Sequence, residues 1–203
     1  MNPRLPFYRT TYSDPNDTNF GIPIFWHYDK AELASKEEFT GIYQKIDDAL
    51  KIVDKKYHIL SLSVYGDFAH LGDVEGLFSG WPCTVMAKHI PKRYPFCTDE
   101  ICDGAKPRKT KEPDPTSLMA VAEDIHLFIQ SNDPPRNICL ISSDPDFAFL
   151  IQELATAGYT VLLASYHDAE PSLGRYAYFK WHWHLMRGGN GPLNHFPDPV
   201  YFK

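Results

Sequence analysis

Apolar runs and amphipathic segments alternate along most of the chain. Continuous apolar runs predict five buried strands, at residues 21–26, 58–67, 83–90, 136–142 and 159–165. Apolar residues at intervals of three or four positions predict three long helices, at residues 35–57, 116–132 and 146–158, and a short one at 74–80. Strands that are apolar along their whole length and alternate with helices are typical of a parallel sheet covered on both faces. We therefore predict an α/β fold with a mainly parallel sheet.

The remaining segments lack this pattern. Residues 1–20 are rich in Pro, Asp, Asn and Thr and are expected to form an irregular N-terminal arm. Residues 91–115 combine prolines with charges and predict a long loop, of the kind that is often functional or disordered. One domain then spans residues 21–187, followed by a tail at 188–203.

Tryptophans and histidines alternate at strand spacing just before this tail. The pattern predicts that Trp181 and Trp183 pack on the domain while His182 and His184 face solvent. Zinc binding by the two histidines would need further ligands.

The net charge restricts the classes of partner. The 203-residue chain has a formal net charge of −6, so binding to nucleic acid requires a local basic patch. The sequence provides candidates for RNA contact at Lys88, Lys92, Arg93, Lys106, Arg108, Lys109 and Lys111. A basic loop at the rim of the sheet suits a phosphate backbone, and the alternatives are a solvated loop or a localisation signal.

The ends of the chain and its cysteines bear on the compartment. The N-terminal residues lack the apolar run of a signal peptide, and their aspartates argue against a transit peptide. No apolar stretch reaches the roughly 18 residues of a membrane span. We therefore expect an intracellular protein, in the cytoplasm or nucleus, in which Cys139 is a buried free thiol. Cys97 and Cys102 are either a disulfide pair or half of a zinc site, and their spacing does not decide between these.

Acidic residues follow three of the predicted strands. Asp29 comes after the first strand, Asp67 after the second, and Asp144 and Asp146 after the fourth, while Asp124 lies in the helix before the fourth. Since parallel strands end at one edge of a sheet, these carboxylates are expected to face the same rim. Clustered carboxylates suit Mg²⁺ or Mn²⁺ and metal-assisted hydrolysis of a phosphodiester. The alternatives are helix capping by Asp144 or Asp146, a turn at Asp67, a loop start at Asp29 and a solvated helix position at Asp124.

Several segments resemble the NYN domain of the PIN-like nuclease superfamily, in its limkain-type branch that is expanded in plants. They are "IPIFWHYD", "SVYGD", "AEDIHLFI", "ICLISSDPDF" with "LIQELATAGYTVLLA", and "WHWHL", and together they extend from about residue 21 to 185. The resemblance implies a Rossmann-like three-layer sandwich with a five-stranded sheet in the order 3-2-1-4-5. It also implies Mg²⁺- or Mn²⁺-dependent endoribonuclease activity on single-stranded RNA, with metal ligands at Asp29, Asp124, Asp144 and Asp146. Asp67 is a further candidate ligand because of its place after the second strand.

The chain departs from the family pattern at the end of the first strand. "WHYDK" places His27 where the family has its first metal-binding aspartate and Lys30 where it has asparagine, and Leu118 stands at another acidic position. His27 suits Mn²⁺ better than Mg²⁺, and Lys30 is expected to neutralise Asp29 in part or to contact a phosphate. These departures predict weaker metal binding. Two functions follow: an impaired metal-dependent ribonuclease, or a catalytically inactive RNA-binding or protein-interaction module, with a homodimer or a protein partner as a further expectation.

Overall fold

The computed structural model describes residues 20–33, 35–72, 74–91, 116–133 and 136–193. These residues form a six-stranded parallel sheet in the order β3-β2-β1-β4-β5-β6. The strands are β1 Gly21–His27, β2 His58–Gly66, β3 Thr84–His89, β4 Asn137–Ile141, β5 Thr160–Ser165 and β6 Phe179–His182. The helices are α1 Ile42–Val53, α2 Val74–Leu77, α3 Thr116–Ser131, α4 Ala148–Thr156 and α5 Trp183–Met186. Among these helices, none is long and apolar enough to cross a lipid bilayer.

The predicted order of the first five strands is confirmed, and a sixth strand extends the sheet. β6 pairs with β5 in parallel, from Leu162 opposite Phe179 to Ser165 opposite His182. Its tryptophan, Trp181, is buried at 1% exposure. The alternation of rings in this segment indicated strand spacing, but four residues are too few for an apolar run that marks a sheet strand.

Two clusters of buried side chains lie on opposite faces of the sheet, which gives the α/β fold its three layers. One cluster contains Ile46 of α1 and Trp183 of α5 packed against Trp26 of β1. The other contains Val121 of α3 and Ile151 of α4. β1 lies in the middle of the sheet and is buried along its whole length, since successive side chains of a strand point to opposite faces.

The first long helix begins later than predicted. Residues Lys36–Phe39 form a 3₁₀ turn, and Ser35 makes no capping hydrogen bond from its side chain. Gly41 follows with φ of +76° and is the N-cap of α1, which ends at Val53. This backbone conformation favours glycine and interrupts the helix, so the single helix predicted for 35–57 is wrong at both ends.

Candidate functional site

All six strands end at one edge of the sheet, which we call the carboxyl edge. The strands end there at His27, Gly66, His89, Ile141, Ser165 and His182. The predicted acidic residues Asp29, Asp67, Asp144 and Asp146 directly follow three of these strands. The carboxyl edge is therefore where the sequence predicted a site. The hydrogen bonds and ion pairs of each charged side chain there show how that side chain is held.

His27 is buried at the centre of this edge between two serines. Its side chain is 1% exposed, with Nδ1 3.2 Å from Ser142 Oγ and Nε2 2.9 Å from Ser117 Oγ. The ring of Phe147 contacts the imidazole edge-on at 5.7 Å between centroids. A neutral imidazole donates through one nitrogen and accepts through the other, and the two hydroxyls satisfy both roles. Metal ligation by His27 would therefore require a serine contact to break.

Ser142, which contacts His27, also contacts Asp144. The backbone N–H of Asp144 donates to Ser142 Oγ at 3.1 Å. Asp144 is 9% exposed, and its Oδ1 accepts from the backbone N–H of Asp146 at 3.2 Å. Asp144 is thus the N-cap of the 3₁₀ turn Pro145–Phe147, as the capping alternative predicted. Its Oδ2 lies 3.8 Å from Lys30 Nζ, while Asp146 itself is exposed.

Asp124 is held by a second lysine and a tyrosine. Its Oδ2 accepts from Tyr65 Oη at 2.6 Å and from Lys88 Nζ at 2.6 Å. Burial raises the pKa of Tyr65 well above its usual range, and the hydrogen bond to Asp124 raises it further. The phenol therefore stays protonated and donates, and the Lys88 ammonium also lies 5.5 Å from the centre of the Tyr65 ring. Asp124 is consequently an anchored carboxylate and not a solvated helix position.

Asp29 and Asp67 both accept hydrogen bonds from the backbone. The N–H of Asp67 donates to Asp29 Oδ1 at 3.0 Å, and the N–H of Ala69 donates to Asp67 Oδ1 at 2.9 Å. Gly66 has φ of +152°, and a Cβ at this position would lie 3.0 Å from Asp29 Oδ1. Glycine therefore lets the end of β2 approach Asp29, and Asp67 plays the turn role that was one of its two predicted roles.

The carboxyl edge thus carries two lysine–aspartate pairs around a serine–histidine network. The side chains of Lys30 and Lys88 are 42% and 40% exposed, against 12% and 14% for their aspartates. In the described parts of the chain, no group of three or more His, Cys, Asp or Glu side chains is arranged to hold a metal ion. The contacts of this arrangement do not fit a divalent cation unless they are displaced, and the metal site over Asp29, Asp124, Asp144 and Asp146 stays a prediction.

Other predicted residues fall in two groups. Lys92, Arg93, Lys106, Arg108, Lys109, Lys111, Cys97 and Cys102 lie outside the described residues. Cys139 is a buried free thiol as predicted, and burial raises its pKa to about 12.

Sequence reasoning did not find Ser117, Ser142 or Tyr65. Ser117 and Ser142 lie 90 and 115 positions from His27, and nothing local in the sequence joins them. The one available signal was the placement of Ser142 directly after β4, where side chains reach the carboxyl edge.

Comparison with known proteins adds a fold neighbour. No family model matches the chain, and no curated protein matches it. Among solved structures, the chain is similar to a Vibrio parahaemolyticus protein of unknown function, with 14% sequence identity and a TM-score of 0.48. The match covers 81% of this chain and 93% of the Vibrio chain.

Proposed function

We propose that this chain is an NYN-type, PIN-like domain that binds single-stranded RNA at its carboxyl edge and has lost most of the metal-dependent hydrolysis of that family. One observation carries the proposal: Lys88 Nζ lies 2.6 Å from Asp124 Oδ2, and Lys30 Nζ lies 3.8 Å from Asp144 Oδ2. The resemblance assigns these carboxylates to a metal. The protein itself thus supplies a positive charge beside each of these two carboxylates.

This arrangement weakens metal binding in two ways. A divalent cation must displace the ammonium group from each carboxylate, or bind beside a like charge. It must also bind without a carboxylate at position 27, where the imidazole nitrogens contact Ser117 and Ser142. Mg²⁺ prefers oxygen ligands in a near-octahedral shell, and the imidazole does not supply one.

The same lysines support phosphate binding. Both ammonium groups are partly exposed, so each is able to contact a phosphate oxygen while remaining near its aspartate. The sequence places further basic residues soon after β3, from Lys92 to Lys111. Basic residues that contact the phosphates of an RNA backbone bind RNA without sequence preference, and this binding depends strongly on the salt concentration.

Fluorescence anisotropy with a labelled single-stranded RNA, in EDTA, tests the proposal. We expect salt-sensitive binding without any divalent cation. Lys30→Ala and Lys88→Ala should each flatten the slope of log K against log salt by about 0.7, the value for one phosphate contact on a single strand. Lys55→Ala is the matched control, since Lys55 is exposed and lies in the turn between α1 and the amino end of β2. Absence of binding at low salt, or binding only with Mn²⁺, contradicts the proposal.

The second candidate is the metal-dependent endoribonuclease itself. It is favoured by the 3.8 Å separation of Lys30 Nζ and Asp144 Oδ2, which exceeds the roughly 2.7–2.9 Å of a direct charge-assisted hydrogen bond. A cation that arrives with RNA loses little by displacing such a loose pair. Cleavage of the labelled RNA with Mn²⁺, measured against an Asp144→Asn/Asp146→Asn variant, separates the two functions: only the nuclease predicts products that the variant does not form.

A further inference from the structure

A run of aromatic rings lies at the carboxyl ends of β5 and β6. The imidazoles of His167 and His182 are 6.3 Å apart between centroids, and those of His182 and His184 are 5.6 Å apart. Tyr166 precedes His167 directly after β5 and is 38% exposed. We call Tyr166, His167, His182 and His184 the ring strip.

Packing of the two tryptophans orients the histidines of this strip. Trp181 of β6 and Trp183 of α5 are 1% and 0% exposed; the strand spacing predicted for this segment ends at His182, and His184 lies in α5. His182 is half-buried and His184 exposed. The rings of His182 and His184 are tilted by 35° to each other, whereas those of His167 and His182 meet edge-on at 72°, so His182 and His184 are the pair that a planar base can extend.

The ring strip is joined to the Lys30 side of the site. The backbone N–H of Tyr166 donates to Ser143 Oγ at 2.8 Å, and its hydroxyl donates to the carbonyl of Glu32 at 3.3 Å. Ser143 is the neighbour of Asp144, the partner of Lys30. From β1 to β6 the sheet advances by three strand spacings, or about 14 Å, which is enough for a few nucleotides.

We propose that the ring strip is a base-stacking subsite for single-stranded RNA, with the ribose–phosphate chain on the side of Lys30. This inference rests on the proposed function. Stacking on aromatic and imidazole rings is tolerant of sequence, because every base has a π-face. Asp168 and Glu170 come just after His167, in the connection between β5 and β6. Their negative charges disfavour a phosphate beside the ring strip. The rings therefore contact bases and the lysines contact phosphates.

Two oligomers of equal length separate these contacts. One is a labelled oligouridylate and the other is an abasic ribose–phosphate oligomer, both titrated by anisotropy in EDTA so that histidine–metal bridging is absent. His182→Ala/His184→Ala should weaken binding of the oligouridylate roughly tenfold or more and leave the abasic oligomer unchanged. Lys30→Ala should weaken both oligomers alike. His58→Ala is the control, because His58 is an exposed histidine at the amino end of β2, on the opposite edge.

A second variant keeps the test independent of folding. His182→Phe/His184→Phe retains planar rings without imidazole nitrogens, so oligouridylate binding should persist. Equal loss on both oligomers, or loss in the phenylalanine variant with the urea midpoint unchanged, overturns the stacking subsite. If the wild-type protein binds both oligomers and the histidine variants change nothing, only the subsite fails. If the wild-type protein binds neither, the proposed function fails with it.

Discussion

Aspartate in place of His27 is the substitution that most directly tests the proposal that the carboxyl edge disfavours a metal. The change removes an imidazole ring and introduces a carboxylate one serine away from Asp144. His27→Asn is the matched control, since asparagine has the shape of aspartate without its charge. The difference between the two variants isolates the effect of the added carboxylate.

The expected magnitudes follow from burial and hydrogen bonding. The His27 side chain is 1% exposed and contacts two serine hydroxyls, so either variant should lose about 2 kcal/mol of unfolding free energy, or about 1 kcal/mol per hydrogen bond. Without a divalent cation, the aspartate variant should lose a further ~1–3 kcal/mol, because a buried carboxylate is then placed near a second one. Mn²⁺ at about a hundred times its Kd should restore about 2.7 kcal/mol to a protein that binds it only when folded.

Urea unfolding followed by tryptophan fluorescence measures these differences, with Trp26, Trp181 and Trp183 buried as reporters. The three proteins are compared in EDTA and in Mn²⁺, and an unchanged m-value shows that the midpoints report stability. We expect a Mn²⁺-dependent rise in the midpoint for His27→Asp that His27→Asn and the wild-type protein do not share. An equal response of all three would show that the residue at position 27 does not control metal binding.

Three further outcomes follow from contacts away from His27. Lys88→Met and Tyr65→Phe should each cost about 1–2 kcal/mol in urea unfolding, and the double variant should differ from the sum, since both donors share Asp124 Oδ2. Burial raises the pKa of Tyr28 and of Tyr57 to about 12, so the unfolded state loses these protons first. Stability should then fall as pH rises from about 10 to 12, by at most ~1.4 kcal/mol per pH unit for each tyrosine, which urea midpoints against pH will measure. Cys139, whose pKa burial raises to about 12, should be alkylated by iodoacetamide only after unfolding, and peptide mapping of the native protein that finds it modified would contradict this.

The strands of the sheet were predictable because they carry their own signal, whereas their order was an expectation from the resemblance alone. β1 is apolar at nearly every position and is buried throughout, which is the pattern of a central parallel strand. β3 was predicted from a similar apolar run, yet most of its residues are exposed or half-buried. An edge strand pairs with one neighbouring strand only. The apolar residues of such a strand therefore do not predict how much of it is buried.

The place of the candidate site was predictable, and its contacts were not. Strand ends define the carboxyl edge, and this was enough to bring Asp29, Asp67 and Asp144 to one rim. Partners that join distant segments leave no local pattern: Lys88 lies 36 positions from Asp124, and Tyr65 lies 59 positions from it. Sequence therefore indicated where charges gather, whereas the structure shows that lysines and a tyrosine lie beside Asp124 and Asp144 and that backbone N–H groups donate to Asp29 and Asp67.

His27 and Lys30 both bear on Asp144, through different atoms. His27 contacts Ser142, whose hydroxyl accepts from the backbone N–H of Asp144, and Lys30 Nζ lies 3.8 Å from the Asp144 carboxylate. Clustered carboxylates repel one another unless a cation lies among them, so an acidic edge depends on its metal for stability. Here Asp144 is 9% exposed and is held by Lys30, by the N–H of Asp146 and through Ser142 by His27. These contacts offset part of the repulsion among the carboxylates of the edge, which is the reason that we expect no Mn²⁺-dependent rise in the urea midpoint of the wild-type protein.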